Sequence, residues 1–386
     1  MPIPSSFRYA MPTEIVFGAG CFDQLADVIR PFGKRPFIVT GKNSARAIGA
    51  LDRALAQLPR AAVFDAVEEN PGTATCEHAA DQCRQLGCDC VVAIGGGSPM
   101  DVAKAVAALA ANSGRCNAYF GSEKLKHGAL PIVAVPTTAG TGSEVTPYAV
   151  IVDNADNTKR TITAKALFPR VALLDPELTR PMPRSVTVST GLDALSQAME
   201  GIVSHKSTPV SDTLALDTIR RVRTFLPRAA QDGDDLEARS EMLYAAMLSG
   251  CVIAQTGTTL VHGMGYYYTL EFGIQHGLAN GLLLTPLFQF NAQEAPEKVR
   301  TIVEALSGRT QTNASPVTQV AHELHALFRE LDTSPAAKDH GVDESRLATF
   351  AKEVAADPYR YRNQIGNITQ DLIEAFYRQS SEGGIV

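Results

Sequence analysis

Over the first 175 residues, short apolar runs alternate with amphipathic stretches. PFIVT (36–40), AAVFDAV (61–67), CVVAIGG (90–96), PIVAVPT (131–137) and VALLDPE (171–177) contain too few polar positions for half-exposed strands and read as strands buried on both faces. Between them, SARAIGALDRALAQL (44–58) and TCEHAADQCRQLG (75–87) place their apolar residues at helical spacing. Strand and helix in alternation predict a parallel sheet with helices on both sides. Beyond the proline-rich DPELTRPMPRS (175–185) the period changes. The stretches 191–227, 235–256, 315–330 and 343–379 read as helices with few strand signals. The expected organisation is an α/β domain over residues 1–180 and an all-helical domain over residues 181–386.

Composition narrows the function. A chain of 386 residues with 45% hydrophobic content can bury two cores of ordinary size. A net charge of −6 and the absence of any long Lys/Arg run argue against a nucleic-acid partner, which needs cations to neutralise phosphates. No basic segment followed by an apolar one opens the chain, and no run of about 18 apolar residues occurs. The expectation is a cytoplasmic protein with no membrane partner. Seven scattered cysteines fit reduced thiols better than a disulfide framework. Cys88 and Cys90 run into an apolar strand, where packing explains them better than a metal.

Two stretches carry phosphate-binding chemistry. In VVAIGGGSPMDVAKAVAAL (91–109) a buried strand ends in three glycines, and a helix opens around Ser98 and Pro99 with an acidic residue expected in its first turn. Free N–H groups and the positive end of the dipole there suit an anion, although a tight turn without ligand has the same sequence. PIVAVPTTAGTGSEVTPYAVI (131–151) repeats the arrangement with hydroxyls on Thr137, Thr138, Thr141 and Ser143. Ligands of open α/β sheets bind at the carboxyl ends of the strands, so the pair of loops predicts a dinucleotide site. No G-x-G-x-x-G and no carboxylate follow PFIVT; Gly41, Lys42, Ser44 and Arg46 stand there instead. These suit a 2′-phosphate, which favours NADP over NAD, unless the two cations are merely solvated.

A third constellation suggests a metal. In GLDALSQAMEG (191–201) Asp193 and Gln197 lie one helical turn apart on one face. His262 and His276 occur in otherwise apolar surroundings, where a single histidine would ordinarily be a satisfied core residue. A carboxylate and two imidazoles together are a ligand set for Zn²⁺ or Fe²⁺. His205, twelve residues past Asp193 near a helix end, is expected to be solvated rather than a ligand.

GGGSPMDVAKAVA (95–107), PTTAGTGSEVTPYAVI (136–151), TGLDALSQAMEG (190–201) and the segment from HGM at 262 to HGLAN at 276 resemble the motifs of the iron-containing alcohol dehydrogenase family. The likeness runs from EIVFGAG (14–20) to ITQDLIEAFY (368–377). The resemblance implies a dehydroquinate synthase-like architecture, with an N-terminal nucleotide-binding α/β domain and an all-helical metal and substrate domain. It implies an NAD(P)-dependent oxidoreductase that acts on the CH–OH group of a small alcohol or reduces the aldehyde, assembled as a homodimer or a larger assembly. Carried over by position, Gly96, Gly97, Ser98 and Asp101 line the pyrophosphate region. Thr137, Thr138 and Lys159 hold the rest of the dinucleotide, and Asn70 lies near the adenosine side. Asp193, position 197, His262 and His276 are the metal ligands.

Two positions depart from that pattern. Where the family's helix reads D-x-x-x-H this chain has Gln197, and where a second histidine often follows the first by four residues it has Tyr266. An amide oxygen is a poorer ligand than imidazole for a borderline metal. Three outcomes stay open: ligation through the Gln197 carbonyl, directly or through water; a metal-independent site like that of the related maleylacetate reductases; or loss of catalysis. The Tyr266 hydroxyl is a candidate proton relay, and its ring equally a packing group. Tyr148, Tyr266, Tyr267, Phe272 and Gly265 suggest a moderately apolar pocket. A phosphate-eliminating cyclase of the same architecture would need several basic residues for its substrate, and 191–204 and 257–291 contain no Lys or Arg. A nucleotide-binding module without turnover is the non-enzymatic alternative.

Overall fold

The computed structural model describes residues 6–309 and 314–384. Contacts divide the chain into two compact units, Met11–Pro181 and a second running from Met182 to the C-terminus and including the stretch that ends at Ala10.

The first unit contains nine strands: β1 Glu14–Phe17, β2 Pro36–Gly41, β3 Ala62–Val67, β4 Cys90–Gly95, β5 Gly121–Ser122, β6 Ile132–Pro136, β7 Tyr148–Asp153, β8 Thr158–Thr163 and β9 Val171–Leu174. Its helices are α1 Leu25–Ile29, α2 Ser44–Ala47, α3 Ala50–Gln57, α4 Thr73–Gln85 and α5 Gly97–Ala111. Six strands form one sheet in the order β1-β9-β6-β4-β2-β3, every pair parallel. Alternate side chains enter different cores. Phe37, Val39, Val91 and Ala93 pack in a cluster with residues of α4 and α5, while Ile38, Val92 and Ile94 join one with residues of α1 and α3. Burial on both faces is why β2, β4, β6 and β9 lack alternation. β3 is the exception. It lies at the sheet edge, half-exposed, so AAVFDAV is not buried on both faces as its composition suggested.

Two helical expectations also change. The stretch 44–58 is two short helices, because Gly49 adopts a left-handed conformation (φ 72°) that a continuous helix cannot contain. The stretch 191–227 breaks after Val203. Thr208 and Ser211 form a reciprocal capping box there, with Pro209 in the first helical position.

The second unit is helical: α6 Arg184–Val203, α7 Pro209–Gln231, α8 Leu236–Thr256, α9 Leu260–Phe272, α10 His276–Glu294, α11 Pro296–Ser307, α12 Pro316–Glu330, α13 Leu347–Ala356 and α14 Gln370–Ser381. α6 packs against α7, α8 and α10, and every residue from Gly191 to Val203 is buried. Polar side chains on that segment must therefore find partners inside the protein or cost about 1–3 kcal/mol each. Among the described residues no single helix is long and apolar enough to cross a membrane.

Candidate active site

The partners of the buried polar residues on α6 come from α8, α9 and α10. One oxygen of Asp193 lies 3.4 Å from His262 Nε2 and 3.9 Å from His276 Nε2. A ligand atom from each of the three residues falls within 4.8 Å of the other two. The rings of His262 and His276 meet edge to face, 5.4 Å between centroids. Among the described residues this is the one group of three or more His, Cys, Asp or Glu side chains close enough to share an ion. His205 is outside it, exposed beyond the end of α6. Cys88 and Cys90 are free thiols, and Cys90 is wholly buried in β4.

Helix contacts set this convergence. α10 begins at His276, and a Cβ on the next residue, Gly277, would stand 1.8 Å from the carbonyl oxygen of Ser189 on α6. Only glycine lets the two helices approach so closely. The Leu278 N–H then donates to Ser189 Oγ (3.1 Å), fixing the first turn of α10 one helical turn before Asp193. On α9, a Cβ at Gly265 would come 2.2 Å from Asn280 Oδ1, so this glycine admits the Asn280 amide to the cluster.

Three residues that the sequence reading passed over complete the arrangement. Glu200, with no exposed surface, accepts from the Thr259 N–H (2.9 Å), the Thr259 hydroxyl (2.7 Å) and the His262 N–H (3.3 Å), and also pairs with His262 Nδ1. It thus satisfies N–H groups at the start of α9 and orients the imidazole with Nε2 toward Asp193. Asn280 donates through Nδ2 to Asp193 (3.1 Å) and lies 3.3 Å from His276 Nε2, while its Oδ1 has no hydrogen-bond partner among the described residues. Ser249 of α8 lies 2.8 Å from Gln197 Oε1, and Gln197 Nε2 donates to the second oxygen of Asp193 (3.2 Å).

Electrostatics follow from these contacts. Burial pushes the Asp193 carboxyl up, but the His262 hydrogen bond, the charges of both histidines and the Asn280 amide outweigh it and hold the group below its ordinary range. For His262, burial opposes the cationic form, yet Glu200 and Asp193 raise the imidazole to about 10. The Tyr266 ring stacks on His276 at 5.3 Å and 11°. Tyr267 and Phe272, two of the residues that suggested an apolar pocket, are partly buried and pack on Phe350 of α13 at 5.1 and 5.9 Å.

In the first unit, the residues carried over for the cofactor gather mainly at one edge of the sheet. Gly41 ends β2; Asn70 follows β3 with a left-handed φ of 51°; Gly96, Gly97 and Ser98 follow β4; Thr137 and Thr138 follow β6. The chain reverses its direction across the sheet between β2 and β4, the crevice where open α/β sheets bind ligands. α5 begins at Gly97, one residue before the expected Ser98, and Asp101 lies beyond its first turn. The glycines have a steric cause: Cβ atoms at Gly96 and Gly97 would meet Thr138 Oγ1 at 3.1 Å and Thr141 Cγ2 at 2.9 Å. Lys159, on β8, contributes positive charge at Asp101. Arg46 bonds Asp65 at 3.1 Å and lies 3.7 Å from Asp52, so two carboxylates already face the guanidinium expected to hold a 2′-phosphate.

The profile of the iron-containing alcohol dehydrogenases matches residues 12–176, and that of the C-terminal part of the Fe-containing alcohol dehydrogenase family matches residues 187–381. The chain belongs to the iron-containing alcohol dehydrogenase family. It is 33% identical to a 1,3-propanediol dehydrogenase of Klebsiella pneumoniae, over 97% of this chain and 98% of that protein. It is 30% identical to an NAD-dependent methanol dehydrogenase of Bacillus methanolicus, over 95% and 98%. The crystal structure of an iron-containing alcohol dehydrogenase from Thermotoga maritima superposes with a TM-score of 0.87 at 38% identity, covering 98% of this chain and all of the other. Family membership makes the chain an oxidoreductase acting on CH–OH groups, with a parallel-sheet unit and a helical unit.

Proposed function

We propose that Asp193, His262 and His276 hold a divalent cation, with Gln197 as a fourth ligand, and that the protein catalyses NAD-dependent interconversion of a small alcohol and its aldehyde. The observation that carries this reading is the convergence of one carboxylate oxygen and two imidazole nitrogens from α6, α9 and α10 within 4.8 Å. The donor set fits iron or zinc, and the family favours iron. A cation bound there supplies Lewis-acid stabilisation to the alcohol oxygen as its proton leaves.

The chain's own residues do the rest. Glu200 fixes the ring of His262, Gly277 fixes the start of α10 and with it His276, and the stacked Tyr266 ring holds His276 in plane. The N-terminus of α5, with Gly96, Gly97 and Ser98, receives the cofactor pyrophosphate, aided by Thr137, Thr138 and Lys159, with Asn70 toward the adenosine. Asp101 supports this edge from α5. The Arg46 ion pairs favour NAD over NADP, in keeping with the NAD-dependent relative. The similar proteins named as alcohol dehydrogenases count against a metal-independent oxo-acid reductase and against an inactive binding module.

The test is metal content of protein purified without chelator, then NADH formation with a panel of primary alcohols before stripping, after stripping and after re-addition of Fe²⁺ or Zn²⁺. Activity should fall with the metal and return with it. Full turnover by demonstrably metal-free protein would refute the reading.

A further inference from the structure

Gln197 is the residue by which this cluster departs from three imidazoles and a carboxylate, and its surroundings are specific. One end of its amide, Nε2, donates to Asp193 at 3.2 Å; the other, Oε1, faces the Ser249 hydroxyl at 2.8 Å. Ser249, wholly buried on α8, also lies 2.8 Å from the carbonyl oxygen of Ala246. A hydroxyl has one proton and two acceptor sites. It can therefore donate to Gln197 Oε1, or accept from the Gln197 NH₂ while donating to Ala246. An amide turned by 180° keeps its shape and exchanges its N–H and C=O ends. Ser249 satisfies both orientations; an apolar residue would satisfy neither.

The orientation of the amide decides what Asp193 faces. With NH₂ inward, Gln197 and Asn280 each donate to one carboxylate oxygen of Asp193. With oxygen inward, two amide donors become one, and a neutral oxygen joins the carboxylate and the two imidazoles. Replacing one nitrogen donor by oxygen shifts preference away from Zn²⁺, which imidazole suits, toward ions that carbonyl and carboxylate oxygens suit.

Resting on the metal reading above, we propose that Gln197 and Ser249 form a two-position amide switch that sets which cation the Asp193–His262–His276 cluster accepts. The NH₂-inward position closes the metal-free site, and the oxygen-inward position makes it favour Mn²⁺ relative to Zn²⁺.

The experiment uses metal-free full-length protein and measures Mn²⁺ and Zn²⁺ dissociation constants by calorimetry and chelator competition, with melting temperatures recorded alongside. Gln197→His should raise affinity for Zn²⁺ relative to Mn²⁺ by about tenfold or more. Ser249→Ala leaves the outer end of the amide unpaired in either position, so the Mn²⁺ to Zn²⁺ ratio should stay within about twofold of wild type while the melting temperature falls, and that fall should vanish when Gln197→Leu has already removed the amide. An unchanged Mn²⁺ to Zn²⁺ ratio in Gln197→His, or a ratio shifted by more than about fivefold in Ser249→Ala, overturns the switch while leaving the metal reading intact. Wild-type protein that binds neither ion removes the metal reading itself, and the switch with it. Should Ser249→Ala not fold, the ratio in Gln197→His still decides.

Discussion

Around Lys104 in the first unit one ammonium group faces four oxygens: the carbonyl and hydroxyl of Ser143, the hydroxyl of Thr146 and the carbonyl of Tyr148, at 2.7–3.2 Å. Around Asp193 in the second unit one carboxylate faces two imidazoles and two amide NH₂ groups. Both clusters are buried and dense in polar atoms. In the first, a full set of acceptors closes on a charge the chain itself provides, and the loop 143–148 is tied to α5. In the second, ring nitrogens and a carboxylate oxygen converge on one small volume, and two amides donate to the same carboxylate. Burial and polarity therefore do not distinguish a structural lock from a ligand site. What distinguishes them is whether the atoms that converge are already matched in charge.

Breaking the second cluster should cost the most in activity. Asp193→Asn removes the one anion of the proposed ligand set, and turnover should fall by about a thousandfold or more, with metal content near zero and little change in melting temperature. Breaking the first should do the reverse. Lys104→Met leaves four buried acceptors without their donor and should cost about 3 kcal/mol in denaturant unfolding while sparing metal affinity. Glu200→Gln keeps the shape but weakens the hold on His262; a loss of about 10–100-fold in metal affinity or in kcat/KM is expected.

A smaller effect concerns Glu144, buried beside Lys104, with one carboxylate oxygen lacking a partner among the described residues. Burial raises its carboxyl to about 7, against the opposing pull of its own N–H and of Lys104. Between its ordinary value of 4.5 and about 7 the folded protein holds a proton that the unfolded chain has lost, so this group's contribution to stability falls as pH rises through that window. Glu144→Gln should therefore be more stable than wild type by about 1–3 kcal/mol above pH 7, and the gain should vanish below pH 4.5. Pairs of thermal melts at pH 4 and pH 8 check this. The smallest change is expected for Tyr266→Phe, which keeps the ring on His276; activity within about threefold of wild type is expected. A fall beyond about tenfold would assign the hydroxyl a proton-transfer role instead.

How much of this was legible in the sequence depends on what kind of contact was at stake. β2, β4, β6 and β9 showed in their composition because burial on both faces leaves a continuous apolar run. β1 is four residues long at the sheet edge, and β8 reads TKRTIT and lies in the small second sheet; neither carries that signal. In the site, Asp193, His262 and His276 stood out as ionisable groups in apolar stretches. Glu200 had a readable signal, being seven residues past Asp193 and so two turns along the same face. Asn280, four residues past His276, had one too. Ser249 had none, because it reaches Gln197 from another helix, 52 residues away.

Gly277 bears no side chain, yet a single methyl group there would collide with backbone that cannot move aside, and α10 would have to back away from α6. His276, the first residue of α10, would travel with it. A position with no functional group of its own can thus govern where an imidazole stands, and a variant at 277 would displace the His276 ring while leaving every reactive group in the chain unaltered.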